Sequence, residues 1–78
     1  HPSDVEQLMK QLHELVNSGN TVIVVEHDMQ SIASSDWVID IGPGAGENGG
    51  NIVAEGLPRA VSKVKASITA KYLAEYLA

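Results

Sequence analysis

A run of five residues, "TVIVV" at positions 21–25, constrains the fold of this chain more than any other feature. All five residues are β-branched, which favours a strand, and the run is too short for a helix. It lacks the apolar and polar alternation of a half-solvated strand, so it predicts a strand buried on both faces, as in a parallel sheet. Glu26, His27 and Asp28 follow the run directly. The sequence therefore predicts an α/β protein in which a buried strand carries three polar side chains to the edge of its sheet.

The segments around this run complete the α/β pattern. Apolar residues at helical spacing follow Ser3, and Gly19 provides a C-terminal stop, which predicts a helix from about Ser3 to Ser18. Residues 28–34 predict a short helix and residues 37–41 a further strand. Together with the first strand they predict a parallel βαβ crossover.

The second half of the chain predicts an antiparallel hairpin and two C-terminal helices. The glycine-rich stretch "GPGAGENGG" separates the strand at 37–41 from "NIVAE", residues 51–55, and its length and composition suit a hairpin loop. Pro58 is compatible with the first turn of one helix, and Ser67 is a suitable N-cap for the last.

The amino-acid composition limits the cellular compartment and the kinds of ligand expected for this chain. The 78 residues include no cysteine, which excludes disulfides and thiolate metal sites. Ten acidic and five basic residues give a net charge of −5, so this segment by itself is not expected to bind DNA. Its apolar runs fall far short of the roughly 20 residues that span a bilayer. We expect a cytoplasmic protein without a membrane segment.

Three glycines, Gly44, Gly46 and Gly49, form the pattern G-x-G-x-x-G. In dinucleotide-binding proteins this loop opens directly into a helix whose N-terminus receives the pyrophosphate. Here a predicted strand follows, and Glu47 adds a repelling charge. We therefore interpret the glycines as part of the hairpin loop.

We call Glu26, His27 and Asp28 the polar trio, and the residues alone leave open what chemistry it performs. Imidazole and carboxylates bind zinc or manganese, but successive strand side chains point to opposite faces, which argues against one shared ion and leads us to predict no metal site. Ligand sites of open α/β sheets lie beyond the carboxyl ends of parallel strands, where His27 would meet a phosphate. Alternatively, His27 begins a loop and is solvated. His13, beside the apolar stripe of the first helix, is interpreted as a boundary residue without chemistry.

The order of the segments resembles one known family. The sequence contains, in order, "HPSD", a capped helix, "GNTVIVVEHDM", "SDWVIDIGPGAGENGG", "NIVAEG" and "SITAKYL". This order resembles the C-terminal end of an ABC-type ATPase domain of the UvrA family, the damage-recognition subunit of bacterial excinuclease. The strand ending in histidine is shared by most ABC ATPases, whereas "WVIDIGPGAG" with the following "GG" and the closing "S-x-T-x-x-Y-L" are particular to UvrA. The resemblance implies that residues 1–78 are a fragment, the C-terminal part of one ABC ATPase domain and a partial P-loop NTPase half-domain, and we expect the second of the two units.

The resemblance also implies roles for individual residues. His27 would be the switch histidine, the catalytic and nucleotide-binding residue that contacts the γ-phosphate of ATP. His1 would close the D-loop, which faces the opposite nucleotide site of the ATPase dimer, and Glu26 and Asp28 would support the switch. ATP and Mg would be bound largely by motifs upstream of His1, so that the chain alone would be inactive.

The implied parent is a nucleotide excision repair ATPase whose partners are DNA, ATP, the excinuclease B subunit and a second A subunit. Two alternatives stand beside it. One is a stand-alone interaction or regulatory module built on the half-domain. The other is the end of an ABC transporter ATPase, against which the "GPGAG" and "SITAKYL" segments argue.

Overall fold

The computed structural model describes residues 2–42 and 50–78. Within these residues, four helices and two strands follow one another along the chain. They are α1 (Pro2–Asn17), α2 (Met29–Ala33), β1 (Val38–Ile41), β2 (Ile52–Gly56), α3 (Pro58–Val61) and α4 (Ile68–Leu77). The chain is a small α/β unit, as predicted.

The two strands form the predicted antiparallel hairpin. Asp40 of β1 lies opposite Ala54 of β2, and a register shift follows between Asp40 and Ile41. Beyond the shift, the Gly42 amide donates to the Asn51 carbonyl at 2.7 Å. The hairpin is confirmed, while Gly44, Gly46 and Gly49 of its predicted loop lie outside the described residues.

The predicted strand at residues 21–25 is wrong for this structure, and the parallel βαβ crossover is wrong with it. Residues 21–28 have no regular secondary structure, and the sheet of the described residues has two strands, β1 and β2. A strand needs a neighbour for its backbone N–H and C=O groups, and β1 and β2 pair with each other. Ile23 and Val25 are 89% and 93% exposed. The most strand-like segment of the sequence therefore lies unpaired at the surface.

The helices agree with their predicted signals. Helix α1 ends at Asn17, and Gly19 follows in the left-handed region with φ +97°, which glycine adopts without strain. Pro58 lies in the first turn of α3 and Ser67 caps α4, as predicted. Helix α2 begins at Met29 and Asp28 is its N-cap, which was not predicted from the sequence. No helix among the described residues is long and apolar enough to cross a bilayer.

The core lies between the hairpin and the C-terminal helices. Val38, Ala54, Val61 and Leu73 form its buried cluster, and Val61 and Leu73 are fully buried. Partly buried apolar side chains of α2 and of residues 64–77 pack around this cluster. The apolar stripe of α1 is less well covered, since Leu8 and Leu15 are each 49% exposed.

Candidate functional site around His27

The polar trio of residues 26–28 joins the unpaired run at 21–25 to the start of α2. Its three side chains do different things. All three residues are exposed, and the two carboxylates accept hydrogen bonds from nearby N–H and O–H groups.

The Glu26 carboxylate folds over the amides that follow it. Its Oε1 accepts hydrogen bonds from the backbone N–H of His27 at 2.8 Å and of Asp28 at 3.2 Å. Both amides point to the same side of the chain, and the carboxylate oxygen satisfies them together. Glu26 therefore shapes the backbone around His27.

Asp28 organises the helix that follows the trio. Its Oδ2 accepts from the backbone N–H of Ser31 at 2.9 Å and from the Ser31 hydroxyl at 3.1 Å. An N-cap aspartate satisfies amides that have no partner within the helix, and its negative charge suits the positive end of the helix dipole. Asp28 thus fixes the start of α2 at Met29.

His27 itself lies between these two anchored neighbours. Its side chain is exposed, and its backbone N–H is held by Glu26. The arrangement leaves the imidazole accessible from solvent on a locally ordered stretch of backbone. Its role as a switch histidine stays a prediction, as does that of His1, which lies outside the described residues.

The described residues hold no group of three or more His, Asp or Glu side chains arranged to bind a metal ion. The trio supplies three such side chains in sequence, but Asp28 is turned towards Ser31 and Glu26 towards the backbone. What the trio offers is one accessible imidazole that can donate or accept a hydrogen bond.

A shallow groove lies beside the unpaired run. Its volume is about 290 Å³, and it runs between α1, the run and Trp37. Val22 and Val24 line this groove, while Ile23 and Val25, which alternate with them along the chain, are almost fully exposed. The run thus keeps the two-residue alternation of a strand in its exposure, although it pairs with none.

A second polar cluster was not predicted from the sequence. The Asp40 carboxylate of β1 accepts hydrogen bonds from the hydroxyls of Ser67 and Thr69, at the start of α4; the Thr69 bond is 3.2 Å long. Ser67 also accepts from the Ala70 amide at 3.0 Å. Strand alternation places Asp40 on the same face as the buried Val38. A carboxylate on a buried face needs hydrogen-bond donors, so the position of Asp40 in the sequence was the available signal for this cluster.

Proteins named UvrABC system protein A are similar to this chain over nearly its whole length. That of Paracoccus denitrificans is 51% identical over 77 residues, which are 99% of this chain and 70% of that protein. That of Mesorhizobium japonicum is 48% identical over 77 residues, again 99% of this chain but 8% of that protein. The crystal structure of UvrA2 from Deinococcus radiodurans has a TM-score of 0.92 and 59% identity, over 100% of this chain and 10% of that one. No family model matches the chain.

Proposed function

The chain belongs to the UvrA family, and we propose that it is the C-terminal part of one ABC ATPase domain of a nucleotide excision repair protein. The observation that carries the proposal is the identity of about half of the residues over 99% of the chain. Because the chain spans only 8% of the Mesorhizobium relative, the ATPase site would be completed by sequence outside it.

The unpaired run at residues 21–25 supports the proposal that the full-length protein has a larger sheet. Val22 to Val25 have the composition of a doubly buried strand, yet alternate side chains are exposed. Exposed β-branched runs with open backbone groups invite pairing with another strand. In the proposed P-loop half-domain, a neighbouring strand from the rest of the protein pairs with this run and covers Ile23 and Val25.

Strand formation would also position the switch. His27 comes two residues after Val25, so a paired strand would bring the imidazole to the carboxyl edge of the sheet, where α/β proteins bind ligands. Glu26 and Asp28 hold the backbone on either side. Phosphoryl transfer depends mainly on positioned charges and hydrogen-bond donors, so one imidazole aimed at the γ-phosphate of ATP contributes directly.

The experiment is ATP hydrolysis by the full-length protein carrying His27→Ala. Loss of one preorganised donor to a developing charge lowers kcat by about 10²–10³-fold. His13→Ala is the matched control, because His13 lies on α1 and outside the trio; its turnover should equal that of the wild type. Unchanged turnover in His27→Ala would remove the switch role while leaving family membership intact.

The remaining parts of the proposal concern the whole protein. ATP with Mg would be the cofactor, His1 would belong to the D-loop, and the chain alone would hydrolyse no ATP. DNA, the excinuclease B subunit and a second A subunit would be the partners, in the cytoplasm. The named relatives favour this parent over a transporter ATPase.

Sequencing the gene upstream of His1 separates this proposal from a stand-alone interaction module. A Walker A loop, a signature motif and "D-E-P-T" leading into "G-L-H" are expected there. A start codon close to His1 would instead favour the stand-alone module.

A further inference from the structure

Ser31 is the buried residue of helix α2, although its side chain is polar. It is 7% exposed, and a hydroxyl at such a position needs a hydrogen-bond partner. Its hydroxyl donates to Asp28 Oδ2 at 3.1 Å, and its backbone N–H donates to the same oxygen at 2.9 Å. The buried hydroxyl is therefore bound to the residue that directly follows His27.

Asp28 is held through its backbone as well as through its side chain. Its backbone N–H donates to Glu26 Oε1 at 3.2 Å, and its backbone carbonyl accepts from the Ile32 N–H at 3.1 Å. These bonds reach back to Glu26 and forward into α2, so they restrict the backbone of Asp28 from both sides. The peptide group that joins His27 to Asp28 is thereby fixed relative to α2.

Helix α2 is in turn fixed to the core. A helix of five residues is not stable by itself, so it depends on the packing of its side chains. Its apolar side chains pack against the buried cluster that contains Leu73, and the helix contacts α4. These apolar side chains are Met29, Ile32 and Ala33. Ser31 therefore connects the polar trio to the best-buried part of the molecule.

The Ser31 hydroxyl adds something that the helix cap does not need. The bond from the Ser31 amide to Asp28 Oδ2 already satisfies the first turn of α2. The hydroxyl is a second donor to the same oxygen, and it holds the Asp28 side chain in one orientation. Because Asp28 is exposed, its carboxylate would otherwise exchange these donors for water.

We propose that Ser31 is a positioning residue for His27. Its hydroxyl holds the Asp28 carboxylate, and through the backbone of Asp28 it sets the direction of the imidazole. This role rests on the proposed function, since it concerns the aim of the switch histidine at the γ-phosphate. A hydrogen-bond donor stabilises a developing charge only when it is held in place, and a misplacement of about 1 Å lowers a rate by up to about 10²-fold.

ATP hydrolysis by the full-length protein carrying Ser31→Ala tests this role. The amide bond to Asp28 remains in this variant, so α2 keeps its cap, while the carboxylate loses its second donor. We expect kcat to fall by about tenfold, since a small misplacement of the imidazole is enough for such a loss. The KM for ATP should change little, because the weakened interaction acts in the transition state. Ser31→Thr keeps a hydroxyl at the same position and should restore most of the lost kcat.

Ser34→Ala is the matched control on the same helix. Ser34 is the C-cap of α2, and its exposed hydroxyl donates to the Gln30 carbonyl at 2.8 Å. This variant also removes one serine hydroxyl from α2, and its kcat should equal that of the wild type. The melting temperature of each variant is measured in parallel. A lower melting temperature of Ser31→Ala together with an unchanged kcat, assayed well below melting, would mean that Ser31 only stabilises the fold.

Combination with His27→Ala shows whether Ser31 acts through the imidazole. If it does, Ser31→Ala has no further effect on kcat once the imidazole is absent, and the two substitutions are not additive. Equal fold losses in the presence and absence of the imidazole would overturn the positioning role. A kcat of Ser31→Thr as low as that of Ser31→Ala would overturn it as well.

The outcomes also separate the positioning role from the proposed function. A lower kcat in His27→Ala with a wild-type kcat in Ser31→Ala overturns the positioning role and leaves the switch histidine in place. A wild-type kcat in His27→Ala overturns both.

Discussion

At the scale of single residues, Asp40 does more for the fold than its place in an apolar strand suggests. Its carboxylate joins β1 to the start of α4 by accepting from Ser67 and Thr69, residues 27 and 29 positions further along the chain. Ser67 is the central member, since its oxygen donates to Asp40 and accepts from the Ala70 amide. One hydroxyl therefore caps a helix and ties it to the hairpin.

Removal of the Ser67 hydroxyl should lower the free energy of unfolding. Ser67→Ala removes an N-cap, worth about 1 kcal/mol, and a hydrogen bond to a charged group, worth about 1.5–3 kcal/mol. Since Asp40 is partly exposed and can recover some hydration, we expect a loss of about 2–3 kcal/mol in the free energy of unfolding of the 78-residue chain, measured with urea. Ser62→Ala is the control, because the Ser62 hydroxyl makes an exposed bond to the Arg59 carbonyl, and it should stay within about 0.5 kcal/mol of the wild type. Equal effects of the two substitutions would contradict the central role of Ser67.

At the scale of elements, the structure separates signals that act locally from those that need a distant partner. Gly19, Asp28 and Ser67 mark helix ends because each acts on backbone groups a few residues away, and all three do so in the structure. The hairpin is also predictable, because its two strands are close in sequence. The run at 21–25 is different. Its composition is typical of a buried strand. Such a strand is buried only when neighbouring strands pair with it, and the described residues supply no such strand.

The candidate site shows the same limit. The sequence indicated that His27 follows the run, but not that Glu26 would bind the next two amides or that Asp28 would cap α2. The cap had a visible signal, an aspartate directly before a short apolar helix. The Glu26 contact had none, because it depends on backbone angles that spacing does not specify.

Two substitutions compare the unpaired run with the core. Val25→Ser should change the free energy of unfolding of the 78-residue chain by less than about 0.5 kcal/mol, because Val25 is 93% exposed. Leu73→Ala, at a fully buried position, should cost about 2–5 kcal/mol in the same urea titration. If the run pairs with another strand of the full-length protein, Val25→Ser should lower the melting temperature of that protein. A large loss already in the 78-residue chain would mean that the run is buried there.

At the scale of the whole molecule, the core is small for the apolar surface that surrounds it. Five apolar side chains of the described residues are buried, whereas Ile23, Ile39, Ile41 and Ile52 are each more than half exposed. A chain near this length buries only about 60% of its unfolded surface. The unpaired run adds open backbone groups to this apolar surface. We therefore expect low stability and self-association of this chain to have a common origin.

The 78-residue chain should accordingly unfold at low urea concentration and associate as its concentration rises, with the run at 21–25 as the contact. Ile23→Lys with Val25→Lys tests the contact by light scattering, because lysines on an open strand block pairing with another chain. The double variant has two added positive charges, which change the net charge from −5 to −3. A smaller net charge by itself favours association, so a fall in association must come from the lost apolar run. Gln7→Lys with Gln11→Lys makes the same charge change on exposed positions of α1 and should associate at least as strongly as the wild type. Equal association of the two double variants would place the contact elsewhere. A two-state unfolding transition with an ordinary urea midpoint would contradict the expected low stability.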